Sequence, residues 1–375
     1  MKQQTKVFIL GAGCSANCGY PLGTELAGQL EDAEFQSEIS DRFPIIERCV
    51  HDTINLAKGL SRFETLDQLT KHIEDDYSSH TEREGYLRDR DNLRHKQIID
   101  AKIATATMFL AKEEKAPNIG LERYQRFIAS IFGGDPWQEG VKAANCHVLS
   151  FNYDRLFEIT FLKHFKSFDP NLVSLYGNCA LNSGFNRRVN GSFDKIEPAT
   201  GQFNFLKLHG TAGSWVKKNI EQSEHRSYWH VPARSNGLQE IENLLEKNGV
   251  YSWETLNRTN APINLPWEPL IMFPHEKQRS LENRQTGFPY DPYIRQIWDH
   301  AASLLATATE VKVIGYSFSA IDSRHMINEL LSKATQCHRF VIQNPAVESV
   351  KANLASYAQI RERLEFDSSL FGENL

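Results

Sequence analysis

A chain of 375 residues with a hydrophobic share of 41% is long enough for a substantial core, in one large domain or two, and its formal net charge of −5 gives no global basic attraction for nucleic acid. No run approaches the roughly 18 apolar residues of a membrane span, and the chain enters a strand almost at once, so neither a membrane anchor nor a signal peptide is expected and a cytoplasmic location is. The six cysteines (Cys14, Cys18, Cys49, Cys146, Cys179 and Cys337) include no Cys-x-x-Cys pair, so no structural zinc ribbon or other metal site is expected and the thiols should stay reduced.

In chain order, Val7-Phe8-Ile9-Leu10 predicts a buried parallel strand, because a strand covered on both faces needs no polar alternation. A helix is predicted from about Thr24 to residue 36, and another over Pro44–Leu60, where Ile45, Ile46, Cys49, Val50 and Ile54 repeat at helical spacing. Phe63, Leu66, Leu69 and Ile73 continue that period on a further helix. Residues 74–96 are almost wholly polar and charged, a solvated helix face or a loop. Helices follow at about 97–113 and 121–133, closed by Gly133-Gly134-Asp135-Pro136. Residues 24–140 therefore read as a helical insertion between the first two strands of a sheet, the core being 1–23 plus 141–375 within a single domain.

Sheet signals resume at Cys146–Phe151, followed by a helix at 154–165 and a short strand at Leu172–Tyr176. Residues 177–202, rich in Asn, Gly and Ser, read as a loop. Phe203–Leu208 is a strand, with hairpin strands near Trp215 and Tyr228–Val231, a helix at 237–247 and a strand at Pro269–Phe273. The last third alternates: helix 290–306, strand 311–315, helix 322–335, strand 339–343, helix 346–357 and a strand near 363–366. Alternation of this kind implies parallel βαβ units, an α/β fold.

In open α/β sheets, ligands bind outside the carboxyl ends of the strands. Leu10 is followed by Gly11, Ala12, Gly13 and Ser15; Phe151 by Asn152, Tyr153 and Asp154; Leu208 by His209 and Gly210; Ile314 by Gly315, Tyr316 and Ser317; Gln343 by Asn344. If the strands are parallel, these groups share one rim. Strand, glycine turn and helix N-terminus make an anion site, since free amides and the helix dipole face the ligand, and the pyrophosphate of NAD is the expected anion. Gly11-x-Gly13-x-x-Ala16 satisfies only the loose dinucleotide fingerprint. Asn152 and Asp154 each read either as site groups or as helix caps, His209 as a base or as a turn histidine, and Ser317 and Asp322 as ligand contacts or caps.

Taken together, Gly11–Ser15 with Gly19-Tyr20-Pro21, Ser150–Asp154, Lys207-Leu208-His209-Gly210 and Gly315-Tyr316-Ser317-Phe318 resemble the bacterial sirtuin-like proteins. Phe63-Glu64-x-Leu66 and Pro269-Leu270-Ile271 with Pro274 and Lys277 resemble that family's secondary motifs. The matches run in order from residue 7 to about 345. The resemblance implies a Rossmann-like parallel sheet with helices on both faces and a helical insertion or second subdomain. It implies that Gly11, Ala12, Gly13, Ser15 and Pro21 hold the pyrophosphate and nearby ribose of NAD. Asn152, Asp154 and His209 would surround the nicotinamide ribose, and Gly315, Ser317 and Asn344 the adenosine half. The four-cysteine zinc module of protein-deacylating sirtuins is absent from the sequence. That departure points to the branch that hydrolyses NAD, often in anti-phage defence.

The residues suit that chemistry. Breaking the nicotinamide–ribose bond passes through an oxocarbenium-like state, as in glycoside hydrolysis, and the pyridinium leaves without needing a strong acid. A base such as His209 and a positioning carboxamide such as Asn152 are what it requires. A non-catalytic module that senses NAD and gates a partner, a protein deacylase and a hydride-transfer enzyme are the rival readings. The resemblance further implies control by homo-oligomer contacts or by a separately encoded partner: a ring-shaped ATPase, a nuclease or an argonaute. The chain itself has no Gly-x-x-x-x-Gly-Lys-Ser/Thr loop.

Overall fold

Strand β1 (Lys6–Leu10) lies at the middle of a seven-stranded sheet completed by β2 (Cys146–Ser150), β3 (Val173–Leu175), β5 (Phe203–Lys207), β9 (Glu310–Ile314), β10 (Arg339–Gln343) and β11 (Leu364–Asp367). The computed structural model describes residues 4–60, 65–78, 84–115, 120–133, 145–164, 173–175, 187–189, 203–218, 226–231, 236–248, 267–274, 276, 292–318, 326–355 and 363–373. The strand order is β11-β10-β9-β1-β2-β5-β3, and every neighbouring pair is parallel. From β1 the chain builds outward through β2, then returns to the other side of β1 with β9. The direction of winding thus reverses between β1 and β9, where such sheets leave a crevice at the carboxyl ends.

Register fixes which side chains share a face. Phe8 pairs with Val148 and Val148 with Phe205, while Val7 pairs with His147 and His147 with Asn204. On the first face lie α7 (Leu121–Phe132) and α8 (Leu156–His164). Their rings continue those of the strands: Phe8 to Phe127 at 5.2 Å, Phe127 to Phe157 at 6.3 Å and Phe157 to Phe205 at 4.3 Å between centroids. On the opposite face α10 (Pro292–Thr307) packs on β5, and Trp298 Nε1 donates to Leu208 O at 2.7 Å. The sheet is covered by helices on both faces, as an uninterrupted apolar strand such as β1 requires.

Between β1 and β2 the chain forms α1 (Gly13–Ala16), α2 (Leu26–Leu30), α3 (Ala33–Ile39), α4 (Pro44–Leu60), α5 (Leu66–Ser78), α6 (Glu84–Lys115) and α7. The single helix expected over 24–36 is two, because Asp32 stops the first and caps the second by accepting from Phe35 N at 3.0 Å. Helix α4 begins at Pro44, whose missing N–H costs nothing in a first turn. Its next two amides donate to Glu242 Oε1 and Oε2, at 2.8 and 3.0 Å, from the facing α9 (Gly237–Asn248). Helix α6 begins well before the expected residue 97. Its charged first turns lack an apolar stripe, yet Glu, Arg and Lys are good helix formers.

The hairpin expected near Trp215 and Tyr228–Val231 is present, and with the strand expected at Pro269–Phe273 it belongs to a second sheet. Strands β4 (Arg187–Val189), β7 (Arg226–His230), β6 (Gly210–Lys218) and β8 (Trp267–Ile271) pair antiparallel in that order. β4 falls within the stretch expected to be a loop; its three residues are too few to show periodicity. The helix expected over 322–335 is a π-helical turn at Met326–Leu330 followed by a 3-10 turn at Leu331–Lys333, with residues 319–325 outside the described set. Helix α11 (Val347–Leu354) precedes β11. Phe63, Glu64, Cys179, Lys277 and Asp322 also lie outside the described residues.

Candidate active site

At the carboxyl ends of β1 and β9 two glycine turns interlock. Gly11 N donates to Ile314 O and Gly13 N to Gly315 O, each at 2.8 Å. A Cβ on Gly11 would lie 2.6 Å from Gly315 O, and one on Gly13 would lie 2.8 Å from it. Gly315 itself has a φ of +64°, and a Cβ there would meet Cys14 N at 2.5 Å. These glycines are thus demanded by the packing of one turn on the other, before any ligand is considered. The helix that follows the turn is α1, a single turn starting at Gly13, and not one starting near Thr24. Cys14 N donates to Gly11 O at 2.9 Å and Ser15 N to Ala12 O at 3.0 Å. The Ala12 amide is the one in the turn that meets no acceptor among the described residues. Most amides of the turn are therefore used within it or on the Gly315 turn.

Asn152, just past β2, reaches directly to this turn. Its Nδ2 donates to Ser15 Oγ at 3.2 Å, and Ser15 Oγ lies 2.7 Å from the Tyr124 hydroxyl of α7. Ser15 and Tyr124 are each 1% exposed and Asn152 is 5% exposed, yet Asn152 Oδ1 has no hydrogen-bond partner among the described residues. A buried carbonyl oxygen left open in this way is costly unless a ligand or water completes it.

The backbone beneath Asn152 is held by Lys207, the last residue of β5. Its ammonium donates to Asn152 O at 2.7 Å and to Asp154 O, and pairs with Glu158 Oε1 at 3.4 Å. Asp154 Oδ1 accepts from Leu156 N at 3.0 Å and so caps α8, the bracing half of its two sequence readings. Its carboxylate still projects charge toward the glycine turn. Burial, and after it the Asp154 charge, pushes the Cys18 thiol up to about 11 and keeps the Tyr20 and Tyr124 phenols protonated. Burial likewise raises Cys14, so no thiolate nucleophile forms beside the turn.

His209 is buried at the end of β5. Its ring meets the Phe151 ring edge-on, 4.8 Å between centroids, and the opposite neighbour of Phe151 is Tyr316, at 5.0 Å. Phe151 is thus the link between His209 and the Gly315 turn. His209 O accepts from Met272 N at 3.0 Å, and a Cβ on Gly210 (φ +73°) would fall 1.7 Å from Leu270 O, so the His-Gly step brings the start of β6 close against β8.

The other expected residues sit less centrally. Asn344 is engaged at both ends of its amide: Nδ2 donates to Tyr316 O at 3.0 Å and Oδ1 accepts from Ala346 N at 2.8 Å, so it braces the Gly315 turn. Ser317 is exposed, its carbonyl taken by Asn353 Nδ2 at 2.9 Å. Pro21 is buried two residues after the left-handed Gly19 and has no polar side-chain group to offer. Direct hydrogen bonds join Gly13 to Gly315 and Ser15 to Asn152, and Gly11 bonds to Ile314 and Cys14 beside them. His209 joins them through aromatic contact, and Asp154 through the backbone held by Lys207. Tyr124 and the buried role of Lys207 were not read from the sequence. A lysine closing an apolar strand was the available signal for the second; a tyrosine within a helical repeat gives none for the first. Among the described residues no cluster of His, Cys, Asp or Glu is arranged to hold a metal ion, the described cysteines are free thiols, and no helix is long and apolar enough to cross a membrane.

No family model matches the sequence, and no curated protein does. Among solved structures, the chain is similar to Sir2Tm bound to a propionylated peptide, at 12% identity over 99% of this chain and 90% of that one, with a TM-score of 0.37. It is similar to a Sir2–p53 peptide–NAD+ complex at 12% identity, 99% and 90% coverage and a TM-score of 0.38. A third similarity is to a structure addressing sirtuin substrate affinity, at 12% identity, 99% and 91% coverage and a TM-score of 0.40. Identity and superposition at this level do not carry an activity from one chain to another.

Proposed function

We propose that the chain is an NAD+ glycohydrolase, cleaving the nicotinamide–ribose bond to give nicotinamide and ADP-ribose. The observation that carries this reading is the open Asn152 Oδ1, buried beside the glycine turn and fixed from behind by Ser15 and Lys207. It is an acceptor awaiting a hydroxyl or a water. The Ala12 amide supplies a donor for a phosphate oxygen, so the residues present fit a dinucleotide in both respects. The Asp154 carboxylate sits where it favours positive charge, first on the pyridinium and then on the ribosyl centre as the bond breaks. His209 is the candidate base for the attacking water or a ribose hydroxyl, and Asn152 orients it. No step calls on a metal.

The sequence resemblance adds the physiological reading: depletion of NAD in bacterial anti-phage defence, held in check by homo-oligomer contacts or released by a separate ATPase, nuclease or argonaute partner. The test is direct. Purified protein is incubated with NAD+, alone and with the products of neighbouring genes, and nicotinamide and ADP-ribose are quantified by mass spectrometry. Asn152→Ala and His209→Ala should each lower nicotinamide release by roughly 100-fold or more while retaining the wild-type melting profile. Full activity in both variants refutes the assignment. Stoichiometric NAD+ binding without turnover, even with the partner present, supports a sensing module instead.

A further inference from the structure

We infer that Tyr124, contributed by helix α7 of the stretch between β1 and β2, is a positioning residue that acts through Ser15 to hold the Asn152 carboxamide with its oxygen toward the ligand. The inference rests on the proposed dinucleotide site and adds to it a residue from a different element. Three polar groups stand in a row, Tyr124 Oη to Ser15 Oγ at 2.7 Å and Ser15 Oγ to Asn152 Nδ2 at 3.2 Å. An amide nitrogen only donates, so Ser15 Oγ accepts from Asn152. Between Tyr124 and Ser15 either hydroxyl could supply the proton, and chemistry selects one. A phenol is the stronger donor and weaker acceptor of the two, and Tyr124 has no other hydrogen-bond partner among the described residues. Tyr124 therefore donates to Ser15. Both acceptor sites of Ser15 Oγ are then filled, by the phenol and by the carboxamide.

Two consequences follow. The Ser15 proton is left to point at the ligand, and once the ligand accepts it Ser15 Oγ has only a lone pair to offer Asn152, which keeps its nitrogen toward Ser15 and its oxygen toward the ligand. The site accordingly presents an acceptor at Asn152 and a donor at Ser15, side by side. Burial keeps Tyr124 protonated, as this arrangement needs. The phenol is itself clamped: its ring meets Phe371 at 4.8 Å, and the preceding residue, Arg123, donates from Nη1 to Phe371 O at 3.0 Å.

The experiment is a double-mutant cycle of Tyr124→Phe and Ser15→Ala, with Phe371→Leu as a milder variant that leaves the hydroxyl in place. Each protein is assayed for nicotinamide release and, separately, for ADP-ribose binding by calorimetry, with melting temperature recorded throughout. Tyr124→Phe is expected to lower kcat about tenfold, the worth of one hydrogen bond, with KM changed less than twofold. It should lower nothing further in the Ser15→Ala background, and Phe371→Leu should behave alike with a smaller loss. A purely structural role would lower the melting temperature and act equally in both backgrounds; that result, or a fully active Tyr124→Phe protein, overturns the inference. If wild type binds ADP-ribose but releases no nicotinamide, the hydrolase reading fails alone. The cycle is then read in ADP-ribose affinity, where a weakening by Tyr124→Phe confined to the Ser15 background supports the inference and an unchanged affinity overturns it. Wild-type protein that binds neither NAD+ nor ADP-ribose overturns both.

Discussion

Replacing Lys207 by Met removes the ammonium and keeps most of the volume of the side chain. Lys207 is 2% exposed and its partner Glu158 is 1% exposed, so water cannot take the place of the lost contacts. Two carbonyls, those of Asn152 and Asp154, lose a charged donor, and Glu158 loses a cation at 3.4 Å. A hydrogen bond to a charged group contributes about 1.5–3 kcal/mol, and breaking a buried pair from one side costs about 3–5 kcal/mol. The contributions overlap, so the lower stability of Lys207→Met should be about 3–5 kcal/mol, against a total of about 5–15 kcal/mol for a folded domain. Equilibrium urea unfolding followed by tryptophan fluorescence measures it, as a lower midpoint at unchanged slope. Adding Glu158→Gln to Lys207→Met should restore at least about 1 kcal/mol, because the buried carboxylate charge is then removed as well. A Lys207→Met protein within about 1 kcal/mol of wild type, or a double variant weaker than the single one, would refute the claim that this lysine holds the loop by charge.

Further measurements probe other parts of the structure. Burial, with a smaller push from His300, lowers the His147 imidazole to about 4 from an ordinary value near 6.5. Its contribution is present in full above pH 6.5 and is lost as pH falls toward 4, amounting to about 3 kcal/mol, so His147→Gln should flatten the acid limb of stability measured by urea unfolding at pH 7 and 4.5. Gly315→Ala combines a left-handed backbone with a Cβ 2.5 Å from Cys14 N, and should cost at least about 2 kcal/mol of stability and most of the NAD+ affinity, read by melting and calorimetry. Glu242→Ala leaves two amides at the start of α4 without their carboxylate and should lower stability by about 2 kcal/mol in urea, with Glu242→Gln intermediate.

The parallel sheet was legible because each of its main strands is mostly apolar and is followed by small or hydrogen-bonding residues. Val7–Leu10 and Glu310–Ile314 have no other reasonable home than between two layers of helix, and their adjacency follows from the winding. The antiparallel second sheet was not legible as a sheet. β6, a nine-residue strand between β7 and β8, has a bulge between Gly210 and Trp215, and a bulge breaks the alternation on which strand reading depends. In the site, the residues that follow the strands lie along one rim because the strands are parallel, while what each side chain bonds to was not legible. Asn152 and Asp154 carried the same two alternatives in sequence. The structure separates them: the Asp154 carboxylate is occupied by Leu156 N, and the Asn152 oxygen is open. The glycine turn reads in sequence as an anion site, whereas at Gly11 and Gly13 the place of a side chain is filled by the neighbouring turn. That distinction depends on a contact between residues about 300 positions apart, which no local pattern encodes.

The hydrogen bond from Cys14 Sγ to Ile314 O spans 300 positions, and the Gly13–Gly315 contact beside it is of the same kind. Ribosomes add about 5–20 residues each second, so the first of these turns waits roughly 15–60 s for its counterpart to emerge. During that interval β1 lacks one of its two flanking strands and the crevice has only one wall. A polypeptide interrupted before residue 315 would carry the Gly11–Ser15 loop, Asn152 and His209 without the turn that packs on that loop.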